Sequence, residues 1–270
     1  MSGGGASPES LDLLAKALAK LAEGAAALPD PEATRDPAAA AALEAVLLET
    51  ATRMQDNFPY AHPLYAGQML KPPHPVARLA YALAMSVNPN NHALDGGRAS
   101  SAMEKEAVAA IARMFGWSQP LAHLTGGGTM ANLEALYVAG QLRPGDAVAA
   151  SSQAHYTHGR ITGVLGIPFV SVPVDSHGRM DLTALERLLE SQRIGTVVAT
   201  LGTTAIGSVD PLPGLLALQQ RHGFRIHADA AYGGYYALAG NLAAPATAAF
   251  AQVSQVDSLV IDPHKHGLQP

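Results

Sequence analysis

The sequence predicts an α/β fold with a mainly parallel sheet. Three observations carry that prediction. Short apolar runs without polar alternation recur along the chain, which suits strands buried on both faces of a parallel sheet. Stretches with helical spacing separate them, giving the alternation of strand and helix expected of a layered α/β domain. The 270 residues are 48% hydrophobic and 14% charged, enough to bury a large core and unlike a disordered chain.

Residues 1–9 are rich in Gly, Ser, Ala and Pro and are expected to fray. Leu11, Leu14, Leu18 and Leu21 then recur at helical spacing, and the Pro29-Asp30-Pro31 turn is expected to end that helix. A second helix is predicted over 37–54, with Pro37 suited to its first turn. Residues 1–57 thus read as a helical N-terminal segment. Residues 58–75, carrying Pro59, Pro63, Pro72, Pro73 and Pro75, read as an extended connection, and 76–270 as the large domain. Within it, helices are predicted at 76–87, 101–115, 129–141, 181–191 and 211–222. Buried strands are predicted at 147–150, 168–172, 196–200, 224–228 and 258–261.

Composition narrows the function. With 17 Lys and Arg against 22 Asp and Glu the formal charge is −5, and no basic cluster stands out, which argues against a nucleic-acid binder. There are no cysteines, so neither disulfides nor thiolate metal sites are available. No apolar stretch is long enough to span a bilayer, and the N-terminus lacks a basic stretch followed by an apolar core. A cytoplasmic protein without membrane partners is expected.

In open α/β sheets, ligands gather at the carboxyl ends of the strands. The segments that follow the predicted strands carry chemistry. His155 lies after the first, Thr203 and Thr204 after the third, Asp229 after the fourth, and His264, Lys265 and His266 after the fifth. Gly126-Gly127-Gly128-Thr129 opens a predicted helix. Taken singly, each has a plainer reading. An Asp after a strand serves as a cap or turn residue, and a lone Lys as a solvated charge. A single His is an ordinary hydrogen-bonded residue, and a Gly run is either a flexible turn or a phosphate cradle. The pair His264 and His266 has no further ligand at metal-binding spacing, so no metal is expected.

Taken together and in order, these pieces resemble a known family. The order is Thr125-Gly126-Gly127-Gly128-Thr129-Met130-Ala131-Asn132, then Ala154-His155-Tyr156, then Leu201-Gly202-Thr203-Thr204 with Gly207 and Asp210. His227-Ala228-Asp229-Ala230-Ala231-Tyr232-Gly233-Gly234 and Asp262-Pro263-His264-Lys265-His266 complete it. The chain resembles the group II pyridoxal-phosphate-dependent amino-acid decarboxylases, of fold type I, from about Phe58 onward.

The resemblance implies pyridoxal 5'-phosphate held as a Schiff base on Lys265. It implies Asp229 against the pyridine nitrogen, His155 stacked on the ring, and Ala231 packed on the opposite face. Gly127, Gly128 and Thr129 would take the phosphate with help from His264, and Thr204 would lie near cofactor and substrate carboxylate. Lys265, His155 and Asp229 are then the catalytic residues of an amino-acid carboxy-lyase acting as a homodimer. Two other readings stay open: a carbon–carbon lyase of the sphingosine-phosphate lyase type, and an inactive truncated fragment. The chain departs from the family in having His266 where an aromatic residue is common. It also stops at Pro270, where the family continues into a small C-terminal domain, which is expected to be absent.

Overall fold

The computed structural model describes residues 8–24, 26, 28, 37–60, 62, 64–67 and 69–270. The turn expected at Pro29-Asp30-Pro31 lies outside them. The described residues fall into two compact units, Met1–Asn88 with Leu268–Pro270, and Pro89–Gly267.

The first unit holds three helices, α1 (Pro8–Glu23), α2 (Pro37–Met54) and α3 (Pro75–Met85). The first begins at Pro8, inside the stretch expected to fray, because proline suits a first helical turn whose N–H groups need no intrahelical partner. His74 caps α3: its ring accepts from the Val76 N–H, and Pro75 follows at the first helical position. The His74 N–H in turn donates to the Leu268 carbonyl at 2.8 Å. Among the described residues no helix is long and apolar enough to cross a membrane.

The second unit is the predicted α/β layer. Five strands, β1 (Ala147–Ser151), β2 (Phe169–Val172), β3 (Ile194–Thr200), β4 (Arg225–Ala230) and β5 (Ser258–Ile261), form one parallel sheet in the order β2-β1-β3-β4-β5. The helices are α4 (Arg98–Met114), α5 (Gly128–Leu142), α6 (Thr157–Leu165), α7 (Leu182–Ser191), α8 (Leu212–His222) and α9 (Ala244–Phe250). Two of these, α6 and α9, are absent from the sequence prediction. Gly159, Gly163 and the β-branched Thr157, Ile161, Thr162 and Val164 give α6 a poor helix propensity. Packing overrides it: Ile161 and Leu165 bury against α5 and the sheet.

Strand alternation sorts the core into two faces. Ala147, Ala149, Val197, Ala199, Ile226, Ala228 and Ala230 point to the side of α7 and α8, against Leu185, Leu212 and Leu215. Val148, Ala150 and Val198 point to the other side, against Leu133 and Leu136 of α5 and Ile161 of α6. His227 and Asp229 alternate with Ile226 and Ala228, so they face α5 and α6. Asp229 lies inside β4 rather than after it, since pairing with Thr200 and Val260 carries the strand on to Ala230. Buried Asp210 ties down the segment that leaves β3: its carboxylate accepts from the Met180 N–H at 2.7 Å and the Thr200 N–H at 2.8 Å. Burial pushes its pKa up to about 6 against those two bonds.

Candidate active site

The chain leaves β1 toward β2 on one side and reaches β3 on the other, so the strand order reverses between β1 and β3. Crevices at the carboxyl ends beside such a switch are where α/β sheets bind ligands. The ends of β1, β3 and β5 lead into His155, Thr203 and Asp262, and Asp229 is the penultimate residue of β4.

The glycine turn forms the first wall. Gly127 sits at φ +131, a conformation L side chains rarely adopt, and caps α5 without a side-chain bond. The first helical bond of α5 is Ala131 N–H to the Gly127 carbonyl, at 3.0 Å. The N–H groups of Gly128, Thr129 and Met130 therefore have no acceptor within the helix. Space in front of the turn is open, for a Cβ on Gly126 or Gly127 would meet nothing within 4 Å. Gly128 is different. A Cβ there would lie 2.8 Å from Asp262 Oδ2 and 3.6 Å from Ala231 Cβ, so the turn rests directly on the ends of β4 and β5.

A buried chain of hydrogen bonds clamps this turn to the sheet. Asn132 Nδ2 donates to the Gly128 carbonyl at 2.9 Å, which leaves Asn132 Oδ1 as the acceptor for His227 Nε2–H at 2.8 Å. His227 Nδ1 then accepts from Ser258 Oγ at 2.8 Å, fixing a neutral imidazole. Burial drives the His227 pKa down to about 4, in keeping with that tautomer.

Asp229 is a buried acid beside this clamp. Its Oδ2 meets His158 Nε2 at 2.8 Å and its Oδ1 accepts from the Ala231 N–H at 3.1 Å. Burial opposes its charge, but the hydrogen bond and the proximity of His158 outweigh that and hold its pKa well below the ordinary carboxylate range. Asp229 is therefore an anion. His155 precedes α6, with Nδ1 2.8 Å from Thr157 Oγ1 and its ring 4.4 Å from the Tyr156 ring. Burial lowers its pKa; nearby Lys265 and His158 act the same way, and Asp229 opposes them.

Lys265 closes the site. Its Nζ lies 3.6 Å from Asp262 Oδ2, and its side chain is only 16% exposed. His264 Nε2 shares the same carboxylate oxygen at 3.0 Å. His266 packs beside Tyr232 and Tyr236, with ring centroids 4.7 and 5.1 Å away.

Gly128, Ala231, Asp262, His264 and Lys265 thus stand together at the ends of β4 and β5, and His155 lies close enough to Asp229 and Lys265 to feel both charges. Thr129 is exposed on the first turn of α5. Thr204 is exposed too, whereas Thr203 beside it is fully buried and bonded to Ser208. A cavity of about 890 Å³ adjoins the turn, lined by Thr125, Gly127, Asp262 and the length of β5, but neither Lys265 nor Asp229 lines it. It is a neighbour of the site rather than the site. Sequence reasoning missed His158 and Asn132. Asn132 carried a weak signal, standing one turn into a helix that opens on glycines, and His158 carried none.

Residues 143–270 match the family model described as the pyridoxal-dependent decarboxylase conserved domain. A probable L-aspartate decarboxylase of Halobacterium salinarum is 33% identical over 209 residues, which is 76% of this chain and 56% of that protein. A probable L-tyrosine/L-aspartate decarboxylase of Methanocella arvoryzae is 29% identical over 229 residues, 83% of this chain and 59% of that protein. The chain therefore spans little more than half the length of these relatives. Among solved structures, mouse CSAD in its apo form superposes with a TM-score of 0.76 at 24% identity, covering 96% of this chain and 62% of that one. Oryza sativa TDC, solved with PLP and tryptamine, gives 0.67 at 19% identity, covering 89% and 66%. At these identities the likeness establishes the fold.

Proposed function

We propose that this chain binds pyridoxal 5'-phosphate at Lys265 and decarboxylates an amino acid, since residues 143–270 match the pyridoxal-dependent decarboxylase model. The observation that carries the reading is Asp229, a buried carboxylate kept ionised on the rim that also holds Lys265 and the open N-terminus of α5.

The donor set fits the cofactor group by group. Free N–H groups and the positive end of the α5 dipole suit a phosphate, and the open space at Gly127 leaves room for one. A buried anion suits a ring nitrogen that must stay protonated. A largely buried amine suits an aldehyde.

When bound, pyridoxal phosphate supplies an aldehyde that captures amines and a ring that takes up the electron pair left as carbon dioxide departs. The chain's residues do the rest. Gly127, Gly128 and Thr129 bind the phosphate, and His264 adds a donor once it leaves Asp262. Asp229 holds a proton at the ring nitrogen. His155 would lie against one ring face and fix its tilt, and the small Ala231 would leave room at the other. Lys265 Nζ would be the attachment point for the aldehyde and, once released, would be placed to move a proton. Thr204 would lie near the cofactor and the substrate carboxylate, as the resemblance implies. Orientation decides the outcome, because the same bound amino acid can lose a proton, a side chain or its carboxylate. The family resemblance supports a homodimer.

The names of the relatives put L-aspartate and L-tyrosine first among candidate substrates. The test is to load the purified chain with pyridoxal phosphate and measure carbon dioxide released from these two and from L-glutamate. Release from any of them, abolished by Lys265→Ala, supports the proposal. A loaded chain that releases none, or an aldehyde from a phosphorylated amino alcohol instead, defeats it.

A further inference from the structure

Both oxygens of Asp229 are engaged, and one partner is costly to keep. His158 reaches Asp229 Oδ2 from the first turn of α6, 71 residues earlier in the chain, and is completely buried. A carboxylate offers only acceptors, so the hydrogen in this contact sits on Nε2. The other ring nitrogen, Nδ1, is buried with no hydrogen-bond partner among the described residues. Leaving a buried polar atom unmet is costly. A side chain serving only to fill this space would be apolar and free of that penalty.

The placement of α6 points the same way. His155 and His158 flank the start of α6, joined by a turn in which the His158 N–H donates to the His155 carbonyl at 3.1 Å. A single turn thereby presents one imidazole toward the cofactor site and a second behind the acid. Thr162 Oγ1 closes the turn on the His158 carbonyl at 2.9 Å, so the backbone carrying His158 is itself held.

We propose that His158 is a positioning residue: through Nε2–H it fixes the orientation of the Asp229 carboxylate that meets the cofactor ring nitrogen. The inference rests on the reading of Asp229 given above. Asp229 Oδ1 is set by the Ala231 N–H and Oδ2 by His158, so the carboxylate cannot rotate, and its charge is kept in a site that burial would otherwise neutralise.

The experiment loads the whole chain with pyridoxal phosphate labelled with ¹⁵N at the ring and follows the ring-nitrogen shift against pH in wild type, His158→Gln and His158→Leu. Wild type and His158→Gln, which retains an N–H donor, are expected to keep the ring nitrogen protonated. His158→Leu is expected to bind protons there at least about tenfold more weakly, one unit of pKa. A purely structural role would lower the melting temperature and leave the ring titration alone. An unchanged titration in folded His158→Leu, or its loss in His158→Gln, overturns the proposal. If His158→Leu does not fold, the wild-type chain decides through the ¹⁵N signals of His158. A protonated Nε2 with a hydrogen-bonded shift upholds the proposal, and a bare Nε2 refutes it. A wild-type ring nitrogen that is unprotonated overturns the reading of Asp229 itself, which separates the two failures.

Discussion

Replacing His227 with glutamine tests the buried clamp behind the glycine turn through its dependence on pH. His227 is neutral and bonded on both ring nitrogens, with a pKa lowered to about 4 in the folded chain against 6.5 as the ordinary value. Below 6.5 the unfolded chain takes up a proton at this ring and the folded chain does not. The stability that His227 contributes is therefore complete above 6.5 and is lost as pH falls toward 4. Integrating between these two values gives a loss of about 2 kcal/mol from about pH 7.5 to about pH 5. The glutamine of His227→Gln binds no proton in either state. Its broken hydrogen bonds add an offset that does not vary with pH. Asp210, raised to about 6, works in the opposite direction, but it is present in both proteins and cancels in the difference. Trp117 is the chain's one tryptophan and bonds to the Ser254 carbonyl at 2.8 Å, so its fluorescence reports unfolding of the sheet-bearing unit in urea. The wild-type stability minus that of His227→Gln should fall by about 2 kcal/mol over this range. A difference that stays flat would mean that His227 is charged or exposed, and the clamp as described would be wrong.

Two other substitutions follow from the same geometry. Gly128→Ala puts a Cβ 2.8 Å from Asp262 Oδ2, displacing the carboxylate that holds His264 and Lys265, while Gly126→Ala meets open space. Pyridoxal phosphate should bind about tenfold more weakly to the first, about 1.4 kcal/mol, and unchanged to the second in an absorbance titration. Asp210→Ala leaves the buried Met180 and Thr200 N–H groups unpaired and should cost about 2–4 kcal/mol in urea unfolding at about pH 8, with the visible spectrum of the bound cofactor kept.

Much of the layer was legible from the residues because β1, β3 and β4 are short, apolar and buried on both faces. By contrast β2, expected to be buried, lies at the sheet edge with Phe169 and Ser171 exposed. The runs around Val148, Val198, Ile226 and Val260 announce themselves without any partner being known. Helix α6 was not legible. Its glycines and β-branched residues argue against a helix, and only Leu136 of α5 and the sheet beneath give Ile161 somewhere to go. The same division runs through the site. Lys265, His155 and Asp229 could be read as candidates because they follow or end apolar runs and because their order resembles a family. His158 was missed because its meaning lies in a carboxylate 71 residues away, and no local pattern encodes that pairing. His227 and Asn132 belong to the same class: their hydrogen bonds join α5, β4 and β5 across 95 and 31 residues of chain. The strand boundary at Asp229 was likewise set by pairing with Thr200 and Val260, which sequence composition does not reveal.

The central claim is that Lys265 carries the cofactor. The direct measurement is to mix the purified chain with pyridoxal phosphate, reduce it with borohydride, and map the modified peptide by mass. The site described here predicts a single pyridoxyl group on Lys265, on the amine that lies 3.6 Å from Asp262 and is 16% exposed. It also predicts that Lys265→Ala abolishes both the visible band and the adduct. Modification at Lys16, Lys20, Lys71 or Lys105 instead, or an adduct that persists in Lys265→Ala, would contradict it.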